Sequence, residues 1–220
     1  MSSQIIREAV EASFPLAKEF LEQKTEYELE SRLGKINHHG HFIPGVTREF
    51  FMEWLQQMEQ HNEWIAIKDW NESIDFIWSN DVRATKYINQ MESKMSCQQK
   101  KLLKNITFKC PNNAYDIRLS LKTETKLKEM PEFPHRLVRV KRRKEFNHKN
   151  IALFCFTYIS EAKEKIAAIQ NGNHRYEIEI ELLHTEHSKS RKPRDLIASL
   201  LEKTIDLIGR DKPYSLQLVQ

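Results

Sequence analysis

Two segments of the chain place glutamate at every second position: Glu28 and Glu30, followed by Arg32, in YELESRLG, and Glu177, Glu179 and Glu181 in RYEIEIELL. Leu29 and Leu33 interleave the first run, and Ile178, Ile180 and Leu182 the second. A period of two belongs to a strand, whose alternate side chains share a face. Each segment is therefore expected to be a strand with carboxylates on one face and an apolar stripe on the other. One such strand is ordinarily half-buried, with its polar face in water. A second makes that explanation weaker. Glutamates two apart in a strand sit about 7 Å from each other and repel by roughly 2 kcal/mol at an effective dielectric near 20. Glutamate is also depleted from strands. A chain that bears this cost twice calls for cations beside the carboxylates, either a divalent metal or facing Lys and Arg. Hard cations such as Mg2+ and Mn2+ prefer carboxylate oxygens.

The length of 220 residues is enough to bury a core, and five glycines with no Ser, Gly or Pro-rich stretch give no linker, so residues 1–220 are expected to form one domain. No apolar run approaches bilayer length, and the N-terminus lacks the apolar core of a secretory signal. A soluble intracellular protein without a membrane partner is expected, in the cytoplasm rather than the nucleus. Cys97, Cys110 and Cys155 are odd in number and have no metal-like spacing, which suits free thiols in a reducing compartment. Net charge is only +4 although 30% of residues are charged, and the charge is sorted by segment. Bases gather between Arg136 and Lys144, acids in the two alternating runs.

Apolar spacing predicts a helix from about Ser3 to Glu22, interrupted or restarted near Pro15. A second is expected from an N-cap at Thr47 to about Glu59, with Phe50, Phe51, Trp54, Leu55 and Met58 as its stripe. Between Trp70 and Tyr158 the runs SIDFIW, VRATKY, LLKNITF, YDIRLSLKTE, RLVRVKRR and IALFCFTYI predict an antiparallel meander. Helices are then expected from about Glu161 to Ile169, stopped by Asn171 and Gly172, and from about Asp195 to Ile208.

Parity sorts the meander strands in the same way. Asp116, Arg118, Ser120, Lys122 and Glu124 share a face against Tyr115, Ile117, Leu119 and Leu121; Arg139, Lys141 and Arg143 oppose Val138 and Val140; Arg83 and Thr85 lie together. A flat sheet could turn these charged faces to solvent. Alternatively, the sheet closes into a barrel whose lumen is lined by charge and whose outside is covered by amphipathic helices. Helices needing an apolar surface favour closure, and the resulting lumen, near neutral in charge, suits a polyanion with a bridging metal.

With these strands in order, the chain resembles the triphosphate tunnel metalloenzymes, and among them the metal-dependent RNA 5'-triphosphatases of fungal and large-DNA-virus mRNA capping systems. ELESRLG matches the family's ExExR/K strand, YDIRLSLKTE its DxRxSxxxE strand, VRVKRRKEF its basic RxKxR strand and EIEIEL its closing glutamate strand, together covering roughly residues 26 to 183. The resemblance implies an α+β fold, a closed eight-stranded antiparallel β-barrel with flanking helices. It implies removal of the γ-phosphate from triphosphate-ended RNA, the first step of capping. Carried over, Glu28, Glu30 and Glu181 would bind Mn2+ or Mg2+, Glu179 would hold the attacking water, and Glu177 and Glu124 would be supporting acids. Arg32, Arg83, Arg118, Arg139, Lys141 and Arg143 would contact phosphate oxygens, with Ser120 a minor partner. Nucleotides, thiamine triphosphate and tripolyphosphate are alternative substrates, and a non-catalytic interaction module of the same fold is a further alternative. Partners would be RNA ends and guanylyltransferase or methyltransferase components, fused or bound. In one strand the family expects inward Arg, Asp and Thr, whereas LFCFT offers Leu153, Cys155 and Thr157. Either that wall is partly apolar or the register there is shifted.

Other motifs read as structural. KRRK at 141–144 fits strand alternation better than a nuclear-targeting patch. His38, His39 and His41 sit in a polar loop with no carboxylate or thiol partner, and His184 and His187 lack the spacing of a helical zinc site. Cys155 reads as a buried thiol rather than a nucleophile.

Overall fold

In the computed structural model, residues 2–22, 26–88, 95–209 and 215–219 are described. The order of elements is α1 (Ser2–Glu22), β1 (Tyr27–Ile36), β2 (Phe42–Pro44), α2 (Arg48–Gln60), β3 (Ala66–Ile77), β4 (Val82–Tyr87), β5 (Ser96–Lys109), β6 (Asp116–Leu127), β7 (Leu137–His148), β8 (Ala152–Ala162), α3 (Lys165–Gln170), β9 (Asn173–Leu182), α4 (Glu186–Lys189), α5 (Pro193–Ile208) and β10 (Gln217–Val219). All the pairings between these strands are antiparallel. The ladder runs β5-β4-β3-β7-β8-β9-β1, and β6 joins β1 to β5, so eight strands close on themselves; β2 and β10 are short additions to β1 and β5. Closure removes the free edges an open sheet would expose, and the flat-sheet alternative is excluded.

The outward parity of each strand builds the core. Ile117, Leu119 and Leu121 on β6, Leu29 and Leu33 on β1, Ile178 and Ile180 on β9 and Phe156 on β8 are all buried under α1, α2 and α5. α2 starts at Thr47, whose hydroxyl accepts the Phe50 N–H at 3.3 Å, and Phe51 meets Phe156 edge-on with centroids 5.4 Å apart. Thr204 of α5 donates to Ser31 of β1 at 2.9 Å, a polar contact through the apolar layer. Among the described residues no helix is long and apolar enough to cross a membrane.

Two expectations about helices need correction. α1 runs unbroken through Pro15. An interior proline costs about 3 kcal/mol, but Ala9, Val10 and Ser13 before it and Leu16, Ala17 and Phe20 after it are all buried on one side, so docking of both halves holds the helix together. The third helix starts at Lys165, not Glu161, because β8 continues pairing with β7 through Val138 and Ala162. Glu161 is therefore a strand residue facing the lumen, where its carboxylate meets Arg139 and Arg175. α4 and the short strands β2 and β10 have too few residues to show a period.

Candidate active site

β1 forms the floor of the lumen. It lies between β6 and β9, and the register sets Arg32 opposite Arg118 and Glu179, Glu30 opposite Ser120 and Glu181, and Glu28 opposite Lys122. The two glutamate strands are thus neighbours, and their acidic rows face the same space.

Arg32 organises the centre. Its Nε lies 2.6 Å from Glu30 Oε1, its Nη2 2.9 Å from Glu179 Oε1 and its Nη1 3.6 Å from Glu177 Oε2. Arg143 of β7 reaches the other oxygen of Glu179 at 3.0 Å while its Nε donates to Thr157 Oγ1 at 3.0 Å. Glu179 is 3% exposed and held between two guanidinium groups. Burial opposes its charge, yet Arg32, Arg143 and Lys122 bring its carboxyl down to about 2. The Arg143 contact is a charge-assisted hydrogen bond and the Arg32 contact an ion pair, and together they hold the carboxylate in the ionised form.

Toward the N-terminal end of β1 the lumen is acidic. Lys100 of β5 pairs with Glu28 at 2.8 Å and with Glu124, and Lys122 pairs with Glu30 and stands 3.7 Å from Glu28. Burial works against ionisation of Glu28, but Lys100, a hydrogen bond with Glu30 and Lys122 hold it well below the usual range. Glu30, completely enclosed, is raised by burial, with Glu179 and Glu28 adding to the effect against Arg32 and Lys122. Glu181 is pushed up to about 7, first by burial and then by Glu28. Among the described residues its carboxylate forms no ion pair or hydrogen bond.

These positions fit a hard divalent cation in donor chemistry: three carboxylates on one face at adjoining register positions, one of them in no ion pair among the described residues, and the Ser120 hydroxyl buried opposite Glu30 with no hydrogen-bond partner among them. The oxygens themselves do not converge. Among the described residues no three acidic, His or Cys groups form a ligand set, since Glu28 and Glu30 turn to the ammonium groups of Lys100 and Lys122. Binding a cation would require these two carboxylates to leave the lysines.

A second cluster lies on β3, β4 and β7 around Asp75, which the sequence reading did not single out. Asp75 is fully buried; Lys141 Nζ lies 2.7 Å from it, Arg83 Nε 3.6 Å, and Thr85 donates to it at 2.8 Å. Burial opposes its charge, and Lys141 and Arg83 hold it low; Lys141 in turn is lowered to about 8, chiefly by burial. The alternation of Ser73 and Asp75 with Ile74 and Phe76 would have located it. Lys100 and the pairing of Arg175 with Glu161 likewise fall outside the motifs of the sequence. Lys100 lies just before the run LLKNITF, and spacing that predicts a helix from about Glu161 gives that carboxylate no lumen face.

The remaining sequence candidates are spread along the tunnel. Arg139 pairs with Glu161 at 2.7 Å. Arg118 forms no ion pair among the described residues; burial and Arg32 lower its affinity for a proton, its Nε has no hydrogen-bond partner, and its guanidinium lies over the Phe42 ring, 4.6 Å from the centroid. On β8 the register is unshifted: Leu153, Cys155 and Thr157 stand opposite Glu181, Glu179 and Glu177. The wall there is partly apolar, as one of the two alternatives required, and Cys155 is a buried thiol raised well above its usual range, first by burial. A cavity of about 350 Å³ lined by Trp54, Trp64, His148 and Lys203 lies outside the barrel and involves none of these groups.

A family model described as mRNA capping enzyme, beta chain, matches residues 72–198, more than half of the chain. That span includes β6, β7 and β9 but not β1. No curated protein matches the chain by sequence. The RNA triphosphatase Pct1 of S. pombe superposes with a TM-score of 0.72 over 93% of both chains at 18% identity. The RNA triphosphatase domain of a trifunctional Mimivirus mRNA capping enzyme superposes with a TM-score of 0.60, at 14% identity, over 90% of this chain and 97% of that one. At these identities the likeness establishes the fold, β1 included.

Proposed function

The chain belongs to the family of mRNA capping enzyme beta chains, and from that premise we propose that it is a metal-dependent RNA 5'-triphosphatase, with residues 1–220 acting as one tunnel domain. It is a hydrolase that takes the γ-phosphate from triphosphate-ended RNA. The observation that carries this reading is Glu179, enclosed in a closed lumen and bound on both oxygens by Arg32 and Arg143.

Phosphoryl transfer depends mostly on positioning and on stabilising charge spread over the equatorial oxygens. In this lumen Arg32, Arg143, Lys141, Arg83 and Arg139 hold phosphate oxygens by exchanging part of their present carboxylate contacts, and Arg118, which forms no ion pair among the described residues, is the readiest receptor. Glu179, ionised down to about pH 2, accepts a hydrogen bond from the attacking water and fixes its direction; at that pKa it orients the water and does not store the proton, which leaves on an oxygen of the released phosphate as the bond to the diphosphate end breaks. Glu177, paired with Arg32 and Arg175, and Glu124, paired with Lys100, keep those bases in place. Glu28, Glu30 and Glu181 would hold Mn2+ or Mg2+, which when bound neutralises charge on the triphosphate and the leaving diphosphate. Companion guanylyltransferase and methyltransferase activities, fused or bound, are proposed by analogy with the trifunctional Mimivirus enzyme.

The test is phosphate release from triphosphate-ended RNA with Mn2+ or Mg2+, compared with free nucleotides and tripolyphosphate. Faster turnover of RNA ends supports the reading. Release that is unaffected by Glu30→Ala or Glu179→Ala, or no release, overturns it.

A further inference from the structure

The β1–β2 hairpin carries a lumen-facing aromatic that the phosphate chemistry leaves unused. Phe42 stands opposite Ile36, and Ile36 continues the parity of Glu28, Glu30, Arg32 and Gly34, so Phe42 shares their face. Two contacts locate its ring. A Cβ on Gly34 would lie 2.6 Å from the ring Cζ and meet the Ile43 carbonyl oxygen as well, so the ring and the hairpin backbone together fill the space a side chain after Arg32 would take. The Arg118 guanidinium covers it at 4.6 Å, a cation–π arrangement. Phe42 remains half-exposed.

This end of the lumen is where an anion would enter. Along β1, β6 and β9, Glu28, Glu30, Glu124 and Glu181 occupy the far end beside Lys100 and Lys122, while Arg32, Arg118 and Arg175 occupy the hairpin end, where Glu177 pairs with Arg175, Asp116 accepts the Ile36 N–H, and Arg118 forms no ion pair among the described residues. A polyanion meets less repulsion from the basic side. The Phe42 backbone lies level with Ile36, and its ring reaches back over Gly34, two positions beyond Arg32, or roughly 7 Å at the rise of a strand. Phosphates seated between Arg32 and Arg143 would therefore leave the nucleoside that follows them beside Phe42.

We propose that Phe42, backed by Arg118, is the seat on which the first nucleobase of a triphosphate-ended RNA stacks at the tunnel mouth. The proposal rests on the triphosphate reading of the lumen above. It gives Phe42 the task of separating nucleoside-bearing ends from inorganic tripolyphosphate, which has no base to stack. Stacking on an aromatic tolerates any base, because every base has a π-face.

Phe42→Leu keeps the apolar volume and removes the ring, and Phe42→Tyr keeps the ring. Equilibrium binding and steady-state kinetics are measured for both with a triphosphate-ended oligonucleotide and with tripolyphosphate. In Phe42→Leu the ratio of oligonucleotide to tripolyphosphate KM, and of the corresponding Kd values, rises about tenfold, in the range of a lost base stack, with kcat held; Phe42→Tyr keeps the original ratio. An unchanged ratio in Phe42→Leu overturns the proposal, whether both constants rise together, which makes Phe42 a positioner of Arg118 only, or neither moves. If the native protein binds the oligonucleotide without hydrolysing it, the parent reading fails while the Kd ratio still decides the role of Phe42.

Discussion

Glu30 of β1 is the direct partner of Glu181 of β9, so the ladder that closes the barrel sets two glutamates side by side on the lumen face. Burial drives both upward, Glu181 to about 7. The pair is a place where proton and metal compete.

That competition predicts a pH-dependent metal effect. Glu181 titrates higher in the folded chain than its ordinary 4.5, so its contribution to stability is full below about 4.5 and is lost as pH rises through 7. Mn2+ or Mg2+ binds the deprotonated form. The rise in Tm on adding the cation to chelator-treated protein is expected to be larger at pH 8 than at pH 6. Glu181→Gln should abolish the rise and leave the metal-free protein more stable above pH 7. Equal rises at both pH values would count against Glu181 as a ligand.

Glu179→Gln keeps the shape of the side chain but loses the charge that Arg32 and Arg143 share. The expected loss in kcat is about 10²–10³-fold, the scale for removing a preorganised polar group from a reacting centre. Circular dichroism should show the barrel intact, with Tm lowered because two buried guanidinium groups lose their shared carboxylate. A variant with near-native kcat would remove Glu179 from the mechanism.

Lys141 predicts an alkaline limb. Burial lowers it to about 8, and only the charged ammonium attracts a phosphate oxygen. kcat/KM reports free-enzyme ionisations, so it should fall above about pH 8. Lys141→Arg, whose guanidinium stays charged, should move that fall to higher pH. A profile that is the same in both would assign the limb to another group.

On the outside of the wall, Leu200 of α5 is fully buried in the core that α5 shares with α1 and β1. Leu200→Ala should cost about 2–5 kcal/mol in denaturant unfolding. If α5 were dispensable to the barrel, the loss would be near zero.

Much of the barrel could be read from the chain because a period of two is a local property. Leu29, Ile117, Ile178 and Phe156 declare one face, and Glu28, Arg118, Glu179 and Arg143 the other, without any knowledge of neighbours. The ends of elements were less legible. Whether Glu161 begins a helix or ends a strand depends on Val138 being available to pair with Ala162, and whether Pro15 breaks α1 depends on what lies under Phe20.

The sequence by itself determined which side chains face the lumen, since alternation is fixed by backbone geometry. Only the tertiary structure decided which of them meet. Register set Glu30 against Glu181 and Arg32 against Glu179, brought the unforeseen Asp75 under Lys141 and Arg83, and carried Phe42 to Arg118. Ion pairs and pKa shifts depend on distance and burial, and both are created when strands far apart in sequence close into one ring.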